Sequence, residues 1–318
     1  MSTSEGSRAV IAALLANLGI AVSKFVAFFF TGSSSMLSES MHSIADSGNQ
    51  VLLLVGRKRA RRGATEEHPF GYGRSRYVYA FIVSIVLFSL GGVFALYEGW
   101  HKIAHPEALN SPVWAFCVLI VAMILEAFSL HTAIRESNLV RRGAPWSRFV
   151  RGAKAPELPV VLLEDIGALV GLIFALAGVT IAVITGDARW DGIGSLAIGG
   201  LLVVIAIFLA REMNSLLIGE SGTAEHVAAI RRALEGGDDV HRIIHLKTLH
   251  LGPDELMVVA KISIRHDETA ASVARAIDNA ESRIRSAVPI ARVIYLEPDL
   301  DREPAPDREP DHDREGRR

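Results

Sequence analysis

Six apolar runs, at residues 9–30, 37–56, 77–99, 112–133, 158–184 and 192–210, occupy the N-terminal part of this 318-residue chain. Each approaches the roughly 20 residues that an α-helix needs to cross a hydrocarbon core. Backbone polar groups in such a core must be satisfied internally, so only helices or a closed barrel can span it. Apolar runs of this length without strict alternation read as helices. The expectation is an α-helical membrane protein with six transmembrane helices, embedded in lipid, with both termini on one side.

Charge says which side. Arg57, Lys58, Arg59, Arg61, Arg62, Arg74 and Arg76 fall between the second and third runs, and Arg135, Arg141, Arg142, Arg148, Arg151 and Lys154 between the fourth and fifth. The opposite loops carry little beyond Lys102 and Arg189. Basic loops stay on the cytoplasmic side, so both termini are expected there, most simply in a plasma membrane. The residues before the first run carry Glu5 and no basic cluster, so no signal peptide is read. A net charge of −2 points to no nucleic-acid partner, and a lone Cys117 excludes a disulfide framework or a cysteine-based zinc ribbon.

From Met213 the pattern becomes that of a soluble domain. Thr223 is placed to cap a helix through Leu234 that stops at Gly236-Gly237. Strands follow at 240–250 and 255–264 around Gly252-Pro253-Asp254, then a helix over 269–286 and a strand over 291–296. The chain thus divides into a six-helix transmembrane domain (1–212), a C-terminal cytoplasmic αββαβ domain (213–298) and a charged, proline-rich tail (299–318) expected to be disordered.

Inside the second run, His42 and Asp46 stand four residues apart, one helical turn, so an imidazole and a carboxylate share one face. An ionisable residue at membrane depth costs about 2.5 kcal/mol or more on insertion scales and usually marks an ion or proton path. Asp46 lies about 16 Å from the cytoplasmic end of its span and Asp165 about 12 Å from that of the fifth, at 1.5 Å per residue. The two carboxylates therefore meet at one level. Glu126 and His131 are candidates for lining an access path. Asn17 and Lys24 share a face of the first span, which makes Lys24–Glu39 a candidate buried pair.

Glu39-Ser40 ahead of His42 and Asp46, the loop His68-Pro69-Phe70-Gly71-Tyr72-Gly73 with Arg76-Tyr77, the run Leu162-Leu163-Glu164-Asp165 and the αββαβ tail together resemble the cation diffusion facilitators. Among these, the chain is most similar to the branch named for human zinc transporter nine. The resemblance covers about residues 8–298. It implies a homodimer, not an enzyme, that exchanges Zn²⁺ (or Mn²⁺, Fe²⁺ or Co²⁺) for protons by alternating access. The metal is the transported substrate, and no organic cofactor is implied.

The resemblance also implies a tetrahedral site completed by a fifth-span pair spaced by four, but the residue four before Asp165 is Val161. His42, Asp46 and Asp165 thus leave a fourth ligand open. Glu164, although about 100° around its helix from Asp165, is the first candidate; Asn49 or a water are the alternatives. In the C-terminal domain the positions matching the family's extra metal ligands are His245, Lys261, Tyr295 and Glu297, of which only His245 is the usual type. A multi-metal cluster is not expected there, and the domain is expected to dimerise through one face of its sheet. The competing reading is a membrane metal sensor or scaffold that binds without transporting.

Overall fold

The structure is a computed structural model that describes residues 7–31, 34–106, 112–141, 143–264 and 268–300; within them, the side chains at 7, 27, 28, 30, 31, 34–42, 45, 112 and 300 are left out. The helices are α1 (Ser7–Thr31), α2 (Ser34–Ala60), α3 (Ser75–Val86), α4 (Phe94–Ala104), α5 (Pro112–Arg141), α6 (Trp146–Gly152), α7 (Glu157–Thr185), α8 (Arg189–Ile218), α9 (Ala224–Glu235) and α10 (Ala270–Ala287). Among the described residues there are also three strands, β1 (Arg242–Gly252), β2 (Glu255–Ile264) and β3 (Ala291–Leu300). A π-helical segment, Leu87–Val93, joins α3 to α4 without a break, so the two make one rod. The described residues form two compact units that part between Gly219 and Glu220, with the turn Leu251–Asp254 grouped with the first.

The first unit is a helical membrane domain. Among the described residues, five rods are long and apolar enough to cross a bilayer: Arg8–Val26, Ser75–Ala104, Val113–Arg141, Glu157–Thr185 and Arg189–Ile218. The sixth long helix, α2, carries Asp46, Asn49, Gln50 and a basic last turn of Arg57, Lys58 and Arg59, and is the least apolar of the long helices. Large apolar side chains such as Ile124, Phe128 and Val204 lie exposed on the outside, as expected where lipid is the solvent. α1 packs on α2 and α5, α5 on α7, and α7 on α8, while α8 also runs along α3 and α4. The apolar core gathers at the basic end of the bundle, where Leu53, Tyr77, Leu158, Val160, Val161, Leu209 and Met213 are buried together. There Arg76 also makes a bidentate pair with Glu157, its Nη2 donating to Oε2 at 2.7 Å, with both side chains nearly buried.

Glycines set the contact between α4 and α8. A Cβ on Gly99 would stand 2.7 Å from Leu196 N and 2.8 Å from Gly192 O, and one on Gly199 would stand 2.7 Å from Leu96 N. Backbone lies against backbone, the close approach that small residues allow between membrane helices. The pairing of Gly99 with Gly192 and of Gly92 with Gly199 fixes the antiparallel register.

In the second unit, Thr223 and Thr269 cap α9 and α10, each hydroxyl accepting a backbone N–H three residues on at 3.2 Å. The strand order is β1-β2-β3, with β2 and β3 parallel in a register that sets Val259 beside Tyr295 and Lys261 beside Glu297. Ile230, Leu234, Ile262, Ala280 and Ile284 form the core, whereas Val259 and Tyr295 are exposed. Arg283 ties α10 to the end of α9, donating to Ala233 O at 2.8 Å and to Asp239 Oδ1 at 2.7 Å.

Several boundaries differ from expectation. α8 continues through Met213 to Ile218, because Gly219 at φ 122° is the first position that ends it. The short helix α6 was not anticipated; Pro145 precedes its first turn, and the Arg141 guanidinium sits 4.4 Å over the Trp146 ring. β3 extends to Leu300 rather than stopping at residue 296, because Asp299 is held by Lys261 at 3.0 Å. The expected disordered tail otherwise falls on 301–318, outside the described residues. Lys102, read as a loop residue, lies inside α4.

Gly192→Val should lower the melting temperature of the purified protein by the equivalent of about 1–3 kcal/mol, the usual cost of overpacking. Its neighbours are backbone atoms that cannot rotate away, Gly99 O at 2.8 Å among them. Gly200→Val, which would meet nothing within 4 Å, is the control, and an equal loss in both would show that the α4–α8 contact is not tight.

Candidate metal-ion site

Halfway along the bundle, polar side chains from α1, α2, α5 and α7 converge. Glu164 and Asp165 are both buried on α7, and being consecutive they point to different neighbours, as a helix requires. Glu164 faces α2, accepting from Asn49 Nδ2 and Gln50 Nε2, one amide on each carboxylate oxygen, both at 2.9 Å. Gln50 in turn accepts from Asn17 Nδ2 of α1 at 3.4 Å. Asp165 faces α5, where Ser129 Oγ donates to its Oδ2 at 2.7 Å. Asn49 Oδ1 is buried with no hydrogen-bond partner among the described residues.

A cavity of about 300 Å³ opens beside these groups. Asp46, Glu126, Glu164 and Asp165 border it, with Glu126 and Glu164 each within electrostatic reach of Asp46 and Asp165, and so do Asn17, Lys24 and Ser43. Glu126 is buried and within electrostatic reach of Asp165, Asp46 and Lys24. From that floor the cavity runs away from the basic end, between α4, α5, α7 and α8, to Glu98, Lys102 and Asp191. In the other direction the apolar core closes the bundle, and Val161 is fully buried within it. The position at which the family resemblance implies a ligand is thus a packing position in this chain.

Of the residues singled out by sequence, the structure brings together Asn17, Asp46, Asn49, Glu126, Glu164 and Asp165. His42 lies in α2 one turn from Asp46, but its side chain is outside the described residues, as is that of Glu39. Lys24 donates to Ser43 Oγ at 3.1 Å. His131 is exposed and does not border the cavity. Among the described residues, no three of His, Cys, Asp and Glu are drawn close enough to hold a metal ion. Sequence reasoning missed Gln50 and Ser129, uncharged residues whose partners lie 114 and 36 positions away. In the second unit His245 is exposed, and Lys261 places an ammonium 3.2 Å from Glu297 and 3.0 Å from Asp299. A cationic side chain there is no metal ligand.

Apolar rods around a cavity with an acidic floor define a membrane protein that handles cations. Residues 10–218 match the cation efflux transmembrane domain. The chain belongs to this family, whose members are transporters and not enzymes. It is 32% identical over 241 residues to the proton-coupled zinc antiporter SLC30A9, mitochondrial, of Homo sapiens, covering 75% of this chain and 42% of that protein. It is 28% identical over 260 residues to metal tolerance protein C4 of Arabidopsis thaliana, covering 81% and 57%. With the manganese efflux system protein MneP of Bacillus subtilis it shares 23% over 268 residues, 82% and 85% of the two chains. The chain thus spans less than half the length of the SLC30A9 protein it matches.

The amide cradle makes Glu164 testable apart from any metal. Glu164→Gln sets an amide NH₂ against the Asn49 and Gln50 donors and leaves one of them unsatisfied, a loss of about 1–3 kcal/mol that a thermal melt in metal-free buffer would register. A melting temperature equal to that of the parent would mean that the cradle does not hold in solution.

Proposed function

We propose that this protein is a proton-coupled antiporter that moves Zn²⁺, or a similar divalent ion such as Mn²⁺, Fe²⁺ or Co²⁺, out of the cytoplasm by alternating access. The observation that carries the reading is the acidic floor at mid-bundle, where Asp46, Glu126, Glu164 and Asp165 border one cavity. Four carboxyl groups in a setting where each charge is costly are best accounted for by a cationic substrate that neutralises them in turn with protons. Relatives named for proton-coupled zinc antiport and for manganese efflux support the same reading.

His42, Asp46 and Asp165 are assigned as metal ligands, with Glu164 as the fourth. Asn49, whose Oδ1 is buried and unpaired among the described residues, is the alternative to Glu164, because both Glu164 oxygens already accept amide hydrogens. Metal binding requires neutral imidazole and ionised carboxylates, so loading expels protons and acid releases the ion. The basic end is placed at the cytoplasm on the positive-inside argument. In that orientation the conformation described here faces outward: its cavity leads to Glu98, Lys102 and Asp191, while the apolar core seals the opposite end. Homodimerisation is assigned to the exposed face of the second unit's sheet, around Val259 and Tyr295.

Reconstituted into vesicles, the protein should move divalent metal against an inward proton gradient, and Asp46→Ala should reduce that flux at least about 100-fold, the scale of losing a charged metal ligand or its support. Assembly should be unchanged, since Asp46 lies outside the second unit. Metal flux in the variant at the parent's rate would place the transport site elsewhere. Metal binding without flux in the parent would favour a sensor.

A further inference from the structure

At the far end of the same cavity, one lysine sits between two carboxylates. Lys102 Nζ lies 3.1 Å from Glu98 Oε1, one turn back on α4, and 3.0 Å from Asp191 Oδ2 on α8. All three side chains border the cavity, and each is partly shielded from solvent, 33%, 29% and 17% exposed for Lys102, Glu98 and Asp191 respectively. The backbone imposes this meeting. Gly99, beside Glu98, packs directly on Gly192, beside Asp191, so the glycine contact that fixes the α4–α8 register also delivers the aspartate to the lysine.

We infer that Lys102 is a tethered counter-ion that keeps the outer mouth of the cavity from retaining the metal ion that passes through it. The inference rests on the antiporter reading for its purpose, but its chemistry is local. Two carboxylates from different helices that both reach one ammonium form a cation-binding pair. Without the ammonium, their oxygens need to close by only about 1 Å to reach the 2.0–2.2 Å of a zinc–carboxylate bond. The result would be a doubly negative, partly dehydrated site on the exit path. With the ammonium, the mouth keeps a single net negative charge, enough to attract cations and repel anions. The ammonium has no lone pair, so it blocks coordination without joining it. A Glu98–Lys102–Asp191 cluster serving only as a structural ion bridge between α4 and α8 would change stability on mutation and leave metal stoichiometry untouched.

The experiment counts metal ions. The purified 318-residue chain, as parent, Lys102→Met, Lys102→Arg and Lys102→Met/Asp191→Asn, is titrated with Zn²⁺ and separately with Mn²⁺ at equilibrium. Each is then assayed in vesicles for flux with metal added on the outer side. Lys102→Met should bind one additional ion per chain, and outer metal should inhibit its flux at concentrations about tenfold lower than for the parent, the gain expected from one removed unit of positive charge in a half-buried site. Lys102→Arg and the double variant should bind no additional ion. An unchanged count in Lys102→Met, or an additional ion that survives Asp191→Asn, overturns the inference. If Lys102→Met assembles only when divalent metal is present, the ion has replaced the ammonium and the inference stands. If it fails to assemble with or without metal while Glu98→Gln/Lys102→Met assembles, the two carboxylates cannot share a metal ion and the inference falls. The count does not depend on transport: absent parent flux would defeat the antiporter reading, whereas an unchanged count beside normal parent flux would defeat only the role of Lys102.

Discussion

A carboxylate in the middle of a membrane bundle must be given hydrogen-bond donors or a cation, and this requirement organises the transmembrane domain. Neutral donors meet part of it: two amides on Glu164 and a hydroxyl on Asp165. Those donors come from α2 and α5, so stabilising the α7 carboxylates also sets how α7 lies against both neighbours. Asn17 extends the chain of amides to α1. Four helices are thereby registered by one polar layer, and the cavity opens on the side of that layer where apolar packing gives way.

The same layer explains why the fold was more legible than the site. Long apolar runs and clustered arginines announce membrane helices because lipid imposes their length and the basic loops stand out against it. Asp46, Glu126, Glu164 and Asp165 could be picked out because acidic groups are rare in such runs. Gln50 and Ser129 could not, since an uncharged polar residue in a membrane helix is ordinary until its partner is known. The expectation of a ligand at Val161 came from the family resemblance; in the structure Val161 is buried in the same apolar core as Leu158, Val160 and Leu209.

Lysines answer acidic pairs at two separate places. Lys102 stands between Glu98 and Asp191, and Lys261 between Glu297 and Asp299. Each pair could otherwise attract a divalent ion, and in each case the ammonium is supplied by the chain itself. From sequence these looked unrelated, the first a charge at a loop edge and the second a substitution at a matching position. What links them is a shared electrostatic solution: a monovalent, non-coordinating cation on a flexible stem leaves local negative charge available while denying a ligand sphere.

The π-helical segment Leu87–Val93 has a consequence for rotational phase. It accommodates one more residue than an α-helical stretch of equal height, so it sets the angle at which α4 emerges relative to α3. If the same residues were wound as a regular α-helix, everything beyond them would be turned by about 100°. Glu98 and Lys102 would leave the cavity wall, and Gly92 and Gly99 would leave α8. In this rod, which face of the outer half lines the cavity is therefore decided by how the backbone of Leu87–Val93 is wound as well as by which side chains follow it.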